Sequence, residues 1–249
     1  MKDLLLYVRF AMDYALKNKT LSHIKYLHQW YKDKKSGDTT LSRRLPWMTY
    51  DAIDFFSRNC DRWMHVFEWG SGGSTLYFAS HCKEVVTIEH DPEWCGVLRE
   101  KIQESGIKNV TLKEITGKRI DNFNEKDYRN PDDFVSKDAK SAGLSFEEYV
   151  KAIDAYPDEY FSMVLVDGRA RNSCIKRAIP HIAIGGFLIV DNADREYYLD
   201  PIPELRDRSC WQKYEYQGPV FFQHAFSKTS VFRKLHFNSK RNPTASSPG

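Results

Sequence analysis

Four short apolar runs, each followed closely by an acidic residue, constrain this chain more than any other feature. They are "VFEWGSGGST" (66–75), "VVTIEHD" (85–91), "MVLVDG" (163–168) and "GGFLIVDN" (185–192). Runs this short and this continuously apolar read as strands buried on both faces. The segments between them read as helices: "STLYFASH" after the first strand, then "DPEWCGVLREKIQESG" with Asp91 as N-cap, Pro92 at the first helical position and Gly106 as the stop. "NVTLKEI" is a third strand between the second and fourth. "RNSCIKRAIPHI" reads as a helix ending at Pro180, after which Gly185-Gly186 turns the chain into the fifth strand. Strands spaced by helices require a parallel sheet with right-handed crossovers. "WQKYEYQGPVFF" and "TSVFRKLHF" break this rule, since no helix separates them, and they predict a terminal antiparallel pair. The expected fold is α/β, a Rossmann-like doubly wound sheet, mostly parallel, with a helical extension at its N-terminus.

The segment boundaries follow from composition. Residues 1 to about 31 carry Leu5, Val8, Met12, Ala15 and Leu16 at helical spacing, and a polar, turn-rich stretch then leads to Pro46. Residues 1–45 are thus an extension and linker, and 46–237 the main domain. Residues 117–160, rich in Asp, Lys, Asn and Tyr, interrupt the alternation; they read as an inserted lid or substrate loop, or as a disordered surface excursion. Residues 238–249 have a disordered composition.

With 37 Lys+Arg against 34 Asp+Glu in 249 residues, the net charge is +3, and the basic residues do not cluster, which argues against a nucleic-acid partner. The "LLLYV" run is cut short by Arg9 and Asp13, so no membrane span or signal peptide is read there. Five scattered cysteines without a CxxC pair suggest neither a disulfide framework nor a zinc site, and a reducing, cytoplasmic setting is expected.

The loop after the first strand points to a ligand. Gly70, Gly72 and Gly73 let the backbone approach a bound group, and the helix opened by Ser74 and Thr75 offers free N–H groups to an anion. Glu68, just before the loop, repels a pyrophosphate and attracts an amine. Glu89, at the end of the second strand, stands where this fold puts an acid on a ribose diol. A ligand with a ribose, a carboxylate and a positive charge is implied. In the G-x-G-x-x-G frame from Gly70 the third glycine is Thr75, which fits a nicotinamide dinucleotide less well.

In order and spacing these motifs resemble those of class I S-adenosylmethionine-dependent methyltransferases, over roughly Pro46 to Lys234. The resemblance implies S-adenosylmethionine as cofactor. It implies that Glu68 meets the methionine amine directly or through water, and that Gly70 and Gly72 line the methionine and ribose. Ser74 or Thr75 would take the carboxylate, Glu89 the ribose hydroxyls, and His90 would lie near the adenine. Ser74 departs from the family's third glycine.

Asp167 follows the fourth strand and Asp191-Asn192 the fifth, so all three face the crevice beside the cofactor. Two carboxylates and an amide oxygen are hard ligands suited to Mg²⁺ or Mn²⁺, which would bind two acceptor oxygens and acidify one. The layout resembles metal-dependent catechol and sugar O-methyltransferases, but "DGRARN" puts Arg169 and Arg171 where the catechol enzymes have a lysine base. Helix capping is the plainer role for these acids. Arg169, Arg171, Arg195 and Tyr197-Tyr198 lie at the same sheet edge and suit an anionic or ring-shaped acceptor. Asp194 and His224 are further proton acceptors, and Trp47 and Tyr50 read as core. The expected activity is O-methylation of a small molecule or glycan. The rivals are a nucleic-acid or protein methyltransferase, for which the Asn/Asp-Pro-Pro-Tyr motif of the amino-methylating enzymes is missing, and a non-catalytic cofactor-binding protein.

Overall fold

The computed structural model describes residues 2–223 and 226–236; His224 and the tail from 237 lie outside the described residues. The main sheet has seven strands. They are β1 (His65–Trp69), β2 (Glu84–Glu89), β3 (Val110–Glu114), β4 (Phe161–Val166), β5 (Ile182–Val190), β6 (Trp211–Pro219) and β7 (Phe226–Lys234). Their order across the sheet is β3-β2-β1-β4-β5-β7-β6. β1 pairs in parallel with both β2 and β4, and the pairings of β7 with β5 and β6 are antiparallel. The chain therefore winds outward from β1 on one side and from β4 on the other. That reversal opens a crevice at the carboxyl ends of β1 and β4.

Strand periodicity distributes the core. Val66, Met163, Leu165 and Ile189 face one side and pack with Phe56 and Phe78, from α4 (Tyr50–Asn59) and α5 (Gly73–His81). Phe67, Trp69, Val164 and Val166 face the other and pack with Tyr149 and Cys174, from α7 (Glu147–Lys151) and α8 (Arg171–His181). α6 (Pro92–Glu104) starts as expected: the Asp91 side chain accepts from the Glu93 and Trp94 amides, and Gly106 follows the helix with φ +64°.

The structure departs from expectation at particular places. Gly185-Gly186 is not a turn before β5 but an irregularity inside it. Phe161 pairs with Ile182 and Met163 with Phe187, so β5 advances five residues while β4 advances two. Gly185 has φ +82°, and both a turn and a bulge ask for glycine there.

Residues 117–160 are packed on the domain rather than a disordered excursion. They hold the crossover from β3 at the sheet edge to β4 in its centre. Phe146, Tyr149, Val150 and Ile153 recur at helical spacing and are all essentially buried. The loop between the short paired strands Lys118–Arg119 and Leu144–Ser145 packs on the domain as well, with Val135 and Ser141 buried.

The 1–45 extension and linker carries helices. α1 spans Lys2–Asn18, α2 Leu27–Lys35 and α3 Thr40–Arg43, the last with a capping box between Thr39 and Ser42. Trp30 is fully buried with Tyr7, Tyr26, Tyr50 and Phe221, so this extension is docked on the domain. Tyr50 belongs to the core as expected, whereas Trp47 is half exposed.

Candidate functional site

The turn from β1 into α5 is shaped by close backbone approach. Gly70 has φ +91°, and a Cβ there would stand 2.8 Å from the Gly168 amide nitrogen. A Cβ on Gly73 would stand 2.2 Å from the Leu45 carbonyl oxygen, which fixes the docked extension against the loop. Neither position accepts a side chain without moving backbone.

Glu89 ends β2 beside this loop and is almost fully buried. One of its oxygens accepts from the Ser71 amide (3.0 Å) and hydroxyl (2.9 Å), the other from the His90 (2.8 Å) and Asp91 (2.9 Å) amides. Burial pulls its pKa upward, but the hydrogen bonds from His90, Asp91 and Ser71 outweigh burial and hold it below the ordinary value. The group is an ionised acceptor aimed by backbone. Two of its neighbours are side chains, the Ser71 hydroxyl and the His90 ring, whose Nδ1 lies 2.8 Å from Oε1. His90 Nε2 accepts from Arg169 Nε at 2.8 Å, which leaves the ring proton on Nδ1, and Arg169 in turn pairs with Asp138 at 3.0 Å.

Glu68 lies beneath the glycine loop and is fully buried. It accepts from the Ser74 hydroxyl, from Thr75 Oγ1 at 2.5 Å and from Thr87 Oγ1 at 2.9 Å. The Ser74 and Thr75 hydroxyls are therefore turned down into the protein, and Thr75 Oγ1 also accepts from the Gly72 amide at 2.9 Å. What remains for an anion is the backbone of the first turn of α5. The physical reason is burial: a carboxylate sealed under the loop takes the nearest donors.

Burial raises the Glu68 pKa from 4.5 to about 7, against the pull of its three hydroxyl donors, and Glu89 adds repulsion. A carboxyl raised on folding stabilises the protonated fold, fully below about pH 4.5 and no longer once pH has climbed through about 7. Denaturant unfolding of the ligand-free protein should accordingly show stability falling across that window, by on the order of 3 kcal/mol for this group. Glu68→Gln should flatten the slope; an unchanged slope contradicts the assignment.

Asp167 and Asp191 do meet at the crevice, but a guanidinium stands between them. Arg171 Nη2 pairs with Asp167 Oδ1 at 2.9 Å, and the same side chain donates to the carbonyls of Gly168 (3.0 Å), Asp191 (2.7 Å) and Asp167 (2.8 Å). Asp191 is buried and accepts from Thr229 Oγ1 at 2.7 Å and Asn192 Nδ2 at 2.9 Å. Burial raises both carboxyl pKa values; Arg171 opposes it at each, while Asp167 repels Asp191. The expected metal set of Asp167, Asp191 and Asn192 does not fit a dication. The cation at these acids is Arg171, and Asn192 turns its amide donor toward Asp191. The i,i+4 spacing of Asp167 and Arg171 was the available signal.

Other site residues were not legible. Trp94 donates from Nε1 to the Ser71 carbonyl at 2.8 Å and so braces the loop. Ser136, Lys137 and Asp138 arrive from the β3–β4 crossover, with Ser136 Oγ accepting from the Ala170 amide at 2.7 Å. Asp194, exposed, accepts from Ser227 Oγ at 3.1 Å.

No protein-family model matches the chain, and no curated protein matches it in sequence. Solved structures do share its fold. A Streptococcus mutans protein assigned as a methyltransferase and solved with S-adenosylhomocysteine is 17% identical, with TM-score 0.51 over 73% of this chain and 94% of that one. A Klebsiella pneumoniae protein assigned as an O-methyltransferase is 16% identical, with TM-score 0.55 over 84% and 99%. An rRNA methylase from Streptococcus thermophilus is 14% identical, with TM-score 0.51 over 75% and 96%. The chain thus has the seven-stranded Rossmann-like methyltransferase fold.

Proposed function

We propose that this chain is an S-adenosylmethionine-dependent O-methyltransferase acting on a hydroxyl of a small molecule or sugar. The observation that carries the reading is Glu89, a buried, ionised carboxylate at the end of β2, aimed by the His90 and Asp91 amides beside a glycine turn. Ser71 and His90 rotate aside to admit a ribose diol. The backbone N–H groups at the start of α5 face the cofactor's carboxylate, and His90 borders its adenine. Bound there, S-adenosylmethionine supplies an electrophilic methyl group.

The crevice itself favours positive charge. Asp167 and Asp191 both have raised pKa values, Glu68 adds repulsion at Asp167 from beneath the loop, and Arg171 is the cation held by Asp167 and the Asp191 carbonyl. A sulfonium and an ammonium relieve that surplus of acid. Asp167, the acid at the end of β4 with a quarter of its side chain exposed, takes the proton of the acceptor hydroxyl. Asp191, behind it, holds its place through Thr229 and Asn192, and its carbonyl helps anchor Arg171.

Arg171 makes a metal unnecessary on this reading. The test is transfer of labelled methyl from S-adenosylmethionine to a panel of hydroxylated small molecules and sugars, with and without excess EDTA. Transfer is expected, and EDTA should change its rate by less than about twofold, since removing a needed Lewis acid costs far more. Loss of activity in EDTA with recovery in Mg²⁺ or Mn²⁺ would restore the metal and overturn this role for Arg171.

A further inference from the structure

A small cavity of about 80 Å³ lies where the β3–β4 crossover meets the loops after β4 and β5. Four cationic side chains line it, Lys137, Arg169, Arg171 and Arg195, against one carboxylate, Asp138. Two of the cations are already neutralised. Arg169 pairs with Asp138 at 3.0 Å, and Arg171 pairs with Asp167 at 2.9 Å and donates to three carbonyls.

Lys137 and Arg195 are different. Among the described residues no carboxylate lies within ion-pair distance of either, although Asp194 and Asp167 are near enough to feel Arg195. Tyrosines hold both in position. The Lys137 ammonium sits 5.2 Å from the Tyr128 ring centre and 5.1 Å from that of Tyr197, and Arg195 Nη1 donates to Tyr198 Oη at 2.8 Å. These aromatic contacts orient a cation without cancelling its charge.

We infer that Lys137 and Arg195 bind an anionic group carried by the methyl acceptor, a carboxylate or a phosphate on the same molecule as the hydroxyl. Size supports this. At about 10–15 Å³ for each water it admits, the cavity has room for the oxygens of such a group. Tyr197 and Tyr198, which also line it, flank the rest of the acceptor. Gly168 to Asn172 form one wall, and Arg171 in that wall pairs with Asp167 at 2.9 Å, so the cavity adjoins the proposed base. A neutral sugar or simple phenol leaves both cations unanswered. The assignment to the acceptor rests on the methyltransferase reading above.

Calorimetry on the full chain saturated with S-adenosylhomocysteine tests it. Inorganic phosphate is one probe; glucuronate against glucose, and benzoate against phenol, are the carboxylate arms. Phosphate or the carboxylates should bind, and the neutral partners should not. Lys137→Gln and Arg195→Gln should each weaken anion binding at least about tenfold, as expected for losing a charge-assisted hydrogen bond. Both side chains are exposed, so the fold should survive, and S-adenosylhomocysteine affinity should stay within about twofold. Binding of phosphate alone assigns a phosphorylated acceptor, and binding of the carboxylates an acidic one. No anion binding by the wild type, or binding that both variants retain, overturns the inference. If anions bind but S-adenosylhomocysteine does not, the anion site stands and the methyltransferase reading falls.

Discussion

Asparagine in place of Asp167 is expected to lower methyl transfer by about 10²–10⁴-fold, the usual contribution of a positioned general base. The substitution keeps the shape of the side chain and removes only its capacity to take a proton. The backbone there is fixed independently, since the Asp167 amide donates to the Trp69 carbonyl at 2.9 Å. Arg171 keeps its hydrogen bonds to the carbonyls of Gly168 and Asp191, so the crevice should hold its form. Because burial raises the Asp167 pKa, the wild-type rate should climb with pH as this carboxyl ionises, and that limb should vanish in Asp167→Asn. Initial rates of labelled methyl transfer across pH supply the measurement, with thermal melting as the check on folding. If the variant keeps more than about a tenth of wild-type activity, proton transfer must be reassigned, with Asp194 and His224 as the next residues to replace.

What was legible in the sequence was what local physics determines. Strands buried on both faces leave continuous apolar runs, so β1, β2, β4 and the body of β5 stand out. The start of α6 is equally local, because Asp91 and Pro92 cap it without help from the rest of the chain. The misreadings arise where one residue pattern serves two structures. Gly185-Gly186 suits a turn and a bulge alike, and only the pairing with Phe161 and Met163 separates them. In the β3–β4 crossover, polar flanks mask the buried spacing of Phe146, Tyr149, Val150 and Ile153.

At the site, the acids were legible as a set, because strand ends in this topology converge. Their partners were not. What Glu68 accepts depends on which hydroxyls reach it, and Ser74, Thr75 and Thr87 do. Lys137 gains meaning only when the crossover brings it beside Tyr197, a contact no sequence spacing encodes.

The central claim is that S-adenosylmethionine binds with its ribose on Glu89, and titration of S-adenosylhomocysteine into wild-type and Glu89→Ala protein tests it most directly. Two diol hydroxyls donating to one carboxylate make two charge-assisted hydrogen bonds, so their loss should cost roughly 3–5 kcal/mol. The Ser71, His90 and Asp91 donors that now surround Glu89 would also lose their acceptor in the variant. Measurable binding to the wild type, weakened at least about a hundredfold in Glu89→Ala, is the predicted result. Equal affinity in the two proteins, or no binding to either, would contradict the account.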